Sequence, residues 1–260
     1  KIAIYGAGTI GACQATLTSG NGYSTVVIGH SEEGLSRCRN TMLQNWNDLI
    51  AQKLATAANR RAAMDLVTIT NDVSALRDCD IVFEAVSEDV NIKQRVYSII
   101  TEVCGRDIIV YPQHLPLNAA ILAEKLKSRK IPDCASIPTR PHASPGGSCP
   151  AYRDTEETLN QVCTLLKDLN RQAVMLNRSV PGFLVNRFAQ ALFRESIYLI
   201  EQGITTAADI DRAIKYAVGM RYASIGLLEY YDAVGFELER AIALNVYPDL
   251  CDTKSIQKTT

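Results

Sequence analysis

The first 180 residues alternate between short apolar runs and amphipathic stretches. Apolar runs of strand length occur in KIAIY, TVVI, LVTIT, DIVFEAV, DIIV and QAVML. Between them lie segments with apolar residues at helical spacing, of which the longest runs from residue 32 to residue 64. NIKQRVYSIITEVC and TEETLNQVCTLLKDL repeat that helical pattern, and DVSALRD predicts a short helix. Strands that alternate with helices predict crossover connections, and therefore a parallel sheet.

The chain becomes helical throughout from Pro181. PGFLVNRFAQALFRESIYLIEQGI predicts a long helix with a dense apolar face, and LLEYYDAVGFELERAIALNVY predicts a further helical block. Between them, TTAADIDRAIKYAVG begins at a threonine cap and ends at a glycine. We therefore predict an α/β, Rossmann-like dinucleotide-binding domain over residues 1–180 and an all-helical domain over residues 181–260. Because a strand starts at the first residue and the end KSIQKTT is featureless, we expect further residues at both ends.

Composition narrows the class of protein. The chain has 260 residues and a formal net charge of −1, which argues against nucleic acid or an acidic membrane surface as a partner. It contains neither an apolar run of the ~18 residues that span a bilayer nor a signal-peptide pattern. Its eight cysteines are scattered without metal-ligand spacing, so we expect reduced thiols, no metal site and a cytoplasmic protein.

A glycine-rich turn joins the first strand to the first helix. Gly6, Gly8 and Gly11 fit the pattern G-x-G-x-x-G in the context that dinucleotide binding requires. Gly6 permits the tight turn, Gly8 lets the backbone approach a pyrophosphate, and Gly11 allows close packing of helix and strand. Thr9 and Ile10 complete the turn, where free N–H groups face the phosphates. The alternative is a glycine-rich turn without a ligand.

The end of the second strand lacks the acidic residue that binds the adenosine ribose of NAD. Gly29, His30 and Ser31 occupy that place, followed by Glu32 and Glu33. We expect NAD as the cofactor, but this segment leaves NADP open.

Several motifs resemble one family. GAGTIG, FEAVSEDVNIKQRVY, VPGFLVNR and VGMRYASIGLLE are similar to segments of the 3-hydroxyacyl-CoA dehydrogenase family, over nearly the whole chain. The last motif is closest to the branch that includes lambda-crystallin/L-gulonate 3-dehydrogenase and L-carnitine dehydrogenase. The resemblance implies hydride transfer between a nicotinamide cofactor and the 3-hydroxyl of a 3-hydroxyacyl-CoA or small 3-hydroxy acid, in a homodimer. The alternative is a catalytically inactive cofactor-binding or crystallin-like homologue.

The resemblance also implies roles for particular residues. Glu88 and Lys93 would contact the nicotinamide half of the cofactor. Asn186 would be a catalytic-site residue, and a buried asparagine on an apolar helix face would need a partner; a purely structural bond is the alternative. Arg221 is a candidate for binding a substrate carboxylate, since arginine suits bidentate recognition, although a surface role is at least as good an interpretation.

The family's catalytic His and Glu are absent from the sequence. They are expected near Ala135 and Gly147, in a region where seven of the nine prolines lie between Pro112 and Pro150. With third codon bases chosen among the allowed ones, shifting the reading frame by one base over residues 127–154 can yield AHPFQP and LVEVV. A shift the other way over residues 111–117 can yield a serine-rich turn. We therefore hypothesise two local frameshifts, and we predict irregular chain over both windows.

Overall fold

The computed structural model describes residues 1–87, 89–104, 108–112, 135–136, 147–150, 156–176, 180–182 and 184–255. The chain divides into two compact units, Lys1–Leu184 and Val185–Thr260.

The first unit is built on a sheet of five parallel strands. The strands are β1 (Ile2–Tyr5), β2 (Thr25–Ile28), β3 (Val67–Thr70), β4 (Ile81–Glu84) and β5 (Ile109–Pro112). Their order is β3-β2-β1-β4-β5. The chain leaves central β1 towards β2 and later returns to its other side as β4. The carboxyl edge beside β1 is therefore the switch point at which such sheets bind ligands.

Helices cover both faces of this sheet. They are α1 (Thr9–Gly20), α2 (Glu32–Ala51), α3 (Ala57–Asp65), α4 (Val90–Cys104) and α5 (Glu156–Asp168). Alternate strand residues feed two apolar cores, because successive side chains of a strand point to opposite faces. Ile2 and Ile4 pack in the core that holds residues of α1, α2 and α5, whereas Ala3 packs in the core that holds residues of α4. The predicted Rossmann-like fold is confirmed.

The amphipathic stretch from residue 32 to residue 64 forms two helices. Lys53 adopts a left-handed φ of 60° just after α2 ends. Thr56 then starts α3 with a reciprocal capping box, in which its hydroxyl and the Asn59 side chain each accept a backbone N–H. Apolar periodicity continues across this break, so it did not reveal the turn. The predicted short helix in DVSALRD is a single 3₁₀ turn, Val73–Leu76.

A second sheet contains three short strands. They are β6 (Ala135–Ser136), β7 (Gly147–Pro150) and β8 (Ala173–Leu176), in the order β6-β7-β8. The prediction of irregular chain is wrong for β6 and β7, and for the end of β5. Strand pairing uses backbone groups, and each proline of β5 and β7 stands at the last position of its strand. The other residues of the two windows lie outside the described residues.

The second unit is helical. Its helices are α6 (Val185–Glu201), α7 (Ala207–Ala213), α8 (Gly219–Ser224), α9 (Leu227–Val234) and α10 (Phe236–Val246). The Thr206 hydroxyl caps α7 by accepting the Asp209 N–H, as predicted. The predicted stop at Gly219 is wrong: a π-helical turn, Ile214–Val218, carries the chain directly into α8. A Cβ on Gly219 would lie 3.0 Å from the Ile214 carbonyl oxygen, so glycine accommodates the wide turn.

Three chemical features concern the described residues alone. Burial raises the pKa of the Cys38 thiol to about 11. The described residues hold no group of three or more His, Cys, Asp or Glu side chains arranged to bind a metal ion. In the described parts of both units, no helix has the length and apolar character needed to span a membrane.

Candidate cofactor site

The glycine-rich turn lies at the carboxyl edge of β1, and its backbone is in close contact with neighbouring backbone. Gly6 has a φ of 128°, and a Cβ there would lie 2.4 Å from the Ala85 carbonyl oxygen. A Cβ on Gly11 would lie 1.8 Å from the Gly6 carbonyl oxygen. Real Cβ atoms do not approach oxygen so closely. Packing within the protein therefore requires glycine at both positions.

Gly8 differs from its two neighbours in the motif. It is exposed, and a Cβ on it would meet nothing within 4 Å. It is also the N-cap of α1, and no side chain of the described residues caps that helix. The first-turn N–H groups, which begin at Thr9 and Ile10, thus face an open edge. An uncapped helix N-terminus fits the pyrophosphate of a dinucleotide, because no side chain at Gly8 blocks the approach of a ligand to the backbone.

A fully buried charged network lies at the end of β4. Glu84 is the last residue of that strand, and its carboxylate accepts hydrogen bonds from Lys93 Nζ at 2.8 Å and from the Tyr97 hydroxyl at 3.0 Å. Its other oxygen accepts the Val86 N–H at 2.9 Å. The side chains of Glu84 and Lys93 are 0% exposed. A buried carboxylate with this many donors holds the start of the β4–α4 connection in one conformation.

The network braces the same edge as the glycine turn. Glu84 pairs with Tyr5 across β4 and β1, and the Ala85 N–H donates to the Tyr5 carbonyl at 2.8 Å. Ala85 is also the residue whose carbonyl lies against Gly6. Any shift of the β4–α4 connection would therefore be transmitted to the glycine-rich turn.

Glu84 and Tyr97 were not predicted from the sequence as site residues, although the sequence contains a signal for them. A single carboxylate inside the apolar run DIVFEAV needs a partner if the strand is buried. Lys93 and Tyr97 are four residues apart and so lie on one helix face. The sequence pointed to Lys93 only through the family resemblance, and the structure places its ammonium inside the protein. Glu88 lies outside the described residues.

The end of β2 has no room for the acidic side chain that an NAD site usually carries there. A Cβ on Gly29 would lie 2.5 Å from Leu35 Cδ2 and 2.8 Å from Ala7 Cβ. The following residues, His30 and Ser31, do not replace the acid. His30 is exposed, and the Ser31 hydroxyl caps α2 by accepting the Gly34 N–H at 3.2 Å.

The remaining predicted site positions lie on other elements. Ala135 pairs with Ser148, and Ser136 with Gly147, across antiparallel β6 and β7. The places where the family's His and Glu are expected are thus neighbours across two strands. In the second unit, Asn186 stands in the first turn of α6 and is exposed.

The parallel sheet and the glycine turn at its switch point define a dinucleotide-binding oxidoreductase. Residues 1–130 match the family model for the 3-hydroxyacyl-CoA dehydrogenase NAD binding domain, and residues 182–259 match that for the C-terminal domain. The chain belongs to the 3-hydroxyacyl-CoA dehydrogenase family. The family, the oxidoreductase class and NAD as the cofactor, all predicted from the sequence, are confirmed.

Curated relatives align over most of the chain. A 5-formyl-3-hydroxy-2-methylpyridine 4-carboxylate 5-dehydrogenase of Mesorhizobium japonicum is 27% identical over 260 residues, covering 98% of this chain and 82% of the relative. A 3-hydroxybutyryl-CoA dehydrogenase of Clostridioides difficile is 26% identical, with 98% and 89% covered. An L-carnitine dehydrogenase of Bacillus cereus is 27% identical, with 87% and 69% covered.

A solved structure is similar over the same extent. It is a 5-formyl-3-hydroxy-2-methylpyridine 4-carboxylic acid 5-dehydrogenase described as an NAD⁺-dependent dismutase. It superposes with a TM-score of 0.88 at 26% identity, covering 98% of this chain and 82% of that one.

Proposed function

We propose that this protein transfers a hydride between NAD and the 3-hydroxyl of a 3-hydroxyacyl-CoA or small 3-hydroxy acid. The observation that carries the proposal is the uncapped N-terminus of α1 behind Gly8, in a chain of this family. The named relatives include dehydrogenases of a 3-hydroxyacyl-CoA and of L-carnitine. A 3-hydroxyacyl-CoA substrate would place the enzyme in cytoplasmic fatty acid metabolism.

The chain's own residues divide the work in this proposal. When bound, NAD supplies the hydride acceptor. Gly6, Gly8 and Gly11, with the first turn of α1, hold its phosphates. The buried network around Glu84 and Lys93 fixes the neighbouring connection. Asn186 helps to hold the substrate and the catalytic groups.

A second candidate function is cofactor binding without turnover. The observation that favours it is that Ala135 and Gly147 stand where the family's His and Glu are expected. A chain that lacks this pair has no general base to accept the hydroxyl proton. The local frameshifts hypothesised above would account for the same absence.

One experiment separates the two candidates. NADH is first titrated into the chain, and acetoacetyl-CoA, a 3-ketoacyl-CoA, is then added while NADH absorbance is followed. Binding followed by NADH consumption supports the dehydrogenase. Binding without consumption supports the inactive homologue. If NADH is neither bound nor consumed, both candidate functions are contradicted.

Arg221 is proposed to bind the carboxylate of a small 3-hydroxy acid. Its guanidinium carbon lies 4.4 Å from the centre of the Tyr230 ring, and the residue is exposed. Stacking on a ring leaves the N–H edge of a guanidinium available for bidentate recognition. In a chain that turns over, we expect Arg221→Lys to raise KM for a 3-hydroxy acid by about 10- to 100-fold, with a smaller change in kcat.

The matched control is Arg212→Lys, since Arg212 is an exposed arginine of the same unit that pairs with Asp209. It should leave the KM for the 3-hydroxy acid and the KM for a 3-hydroxyacyl-CoA unchanged. A 3-hydroxyacyl-CoA substrate that lacks a free carboxylate should also show an unchanged KM with Arg221→Lys. Equal losses for both substrates would contradict the carboxylate role.

A homodimer is proposed to cover the apolar surface of the helical unit. None of the residues of α6–α10 is buried. Phe188 is 57%, Leu228 74% and Phe236 62% exposed. A surface this apolar marks an interaction site, and a second copy closes it with two-fold symmetry. Sedimentation equilibrium should therefore show a dimer that Phe188→Glu weakens; a monomeric wild-type chain would contradict the proposal.

A further inference from the structure

The end of β2 raises a question that the family's NAD chemistry leaves open for this chain. NAD-binding sheets discriminate against NADP with an acidic residue at this position. Here Gly29, His30 and Ser31 occupy its place. None of the three is acidic, and Leu35 and Ala7 leave no room for a side chain on Gly29. Selectivity for the ribose must therefore come from a different residue, if the cofactor site proposed above is correct.

Glu32 is held close to the empty position. It is the first residue of α2, and its Oε1 accepts a hydrogen bond from Asn71 Nδ2 at 3.0 Å. Asn71 directly follows β3, and the Gly29 N–H donates to the Thr70 carbonyl at 3.0 Å. The carboxylate is therefore anchored across the ends of β2 and β3, at the carboxyl edge where the cofactor binds.

The same edge connects directly to the phosphate-binding turn. The Gly6 N–H donates to the Ile28 carbonyl at 2.9 Å. The glycine turn and the loop that leads to Glu32 thus leave adjacent strands at the same level. A dinucleotide whose pyrophosphate lies on α1 has its adenosine ribose over the end of β2.

The neighbouring acid is engaged differently. Glu33 Oε1 accepts from Arg37 Nη1 at 3.0 Å, one turn further along the exposed face of α2. The Ser31 hydroxyl already caps the helix, so its N-terminus is not an open phosphate site. Residues 29–36 contain no Lys or Arg that would neutralise a 2′-phosphate. The charge that a 2′-phosphate would meet first is that of Glu32.

We propose that Glu32, oriented by Asn71, determines the preference for NAD over NADP. Its free carboxylate oxygen accepts a hydrogen bond from the ribose 2′-hydroxyl of NAD, and its charge repels the 2′-phosphate of NADP. The role that other sheets give to an acid at the strand end is here moved to the first residue of the following helix.

The test compares NADH and NADPH binding to wild-type chain and to Glu32→Gln, by nucleotide fluorescence without substrate. Wild type should prefer NADH. Glu32→Gln should bind NADH about tenfold more weakly and NADPH more tightly, so that the ratio of the two dissociation constants falls by about 100-fold. Asn71→Ala, which keeps the charge but frees the carboxylate, should weaken NADH binding alone.

Glu33→Gln is the matched control, because it removes the same charge from the adjacent position of the same helix turn. It should change the ratio less than about threefold. All three substituted side chains are exposed, and equal melting temperatures would show that the variants fold. Binding measured without substrate keeps this test independent of whether the chain turns over.

Three results would overturn the assignment, and the first two are distinguishable from the third. NADH binding with an unchanged ratio in Glu32→Gln, or a wild-type preference for NADPH, would remove Glu32 from the site but leave the nucleotide site itself. Failure to bind either nucleotide would overturn the proposed cofactor site and this inference together.

Discussion

Lys93→Met destabilises the protein by about 3–5 kcal/mol, because it leaves the Glu84 carboxylate buried without its charged partner. Both side chains are 0% exposed, so water cannot replace the lost ammonium without opening the core. Methionine is chosen because it fills a similar volume. The free energy of unfolding, measured by urea titration of the chain with and without NADH, gives the result.

Two further variants separate charge from packing. Tyr97→Phe removes a single hydrogen bond to the same carboxylate and should cost about 1 kcal/mol. Combining Glu84→Gln with Lys93→Met removes both charges and should regain much of the loss, since a neutral buried pair is often as stable as an ionic one. If Lys93→Met lowers the free energy of unfolding by less than about 1 kcal/mol, the buried Glu84–Lys93 ion pair is contradicted.

Gly8→Asp keeps or raises stability while lowering NADH affinity at least about 100-fold. The Gly8 backbone, with φ −82° and ψ −172°, is already the extended conformation of an N-cap, and aspartate is a better cap than glycine. Its carboxylate would occupy the N–H groups that are open to the pyrophosphate and would repel its charge. Thermal unfolding and NADH titration of the same sample measure the two effects.

The controls for this prediction lie in the same turn. Gly8→Asn caps the helix without a charge, so its loss of NADH affinity should be smaller than that of aspartate. Gly11→Ala should instead lower the stability of the protein, because its Cβ would lie 1.8 Å from the Gly6 carbonyl oxygen. Unchanged NADH affinity in Gly8→Asp would place the phosphates elsewhere.

Local sequence patterns predicted much of the secondary structure of the first unit. Apolar runs and helical spacing identified the strands of the parallel sheet, and the glycine motif was placed at its edge because the motif carries its own context. The break between α2 and α3 was not visible, since apolar periodicity continues through residues 52–56. The wide turn before Gly219 was missed for a related reason: a glycine that ends a helix and a glycine that directly follows a π-helical turn cannot be told apart by residue type.

Features that depend on residues distant in the chain could not be predicted from the sequence. That Gly29 has no room for a side chain depends on Ala7, which precedes it by a strand and a helix. The anchoring of Glu32 depends on Asn71, 39 residues later. Glu84 was hidden inside a run that otherwise predicts a buried strand, and only the fold brings Lys93 and Tyr97 to it.

The single tryptophan provides the most direct test of the claim that the first unit binds NAD at the glycine turn. Trp46 is buried in α2, within the same unit, and its emission overlaps the absorption of NADH. NADH titrated into the wild-type chain should quench Trp46 emission saturably at one nucleotide per chain, and Gly8→Asp should abolish the quenching. Absence of saturable quenching in the wild-type chain, or equal quenching in Gly8→Asp, would contradict the account.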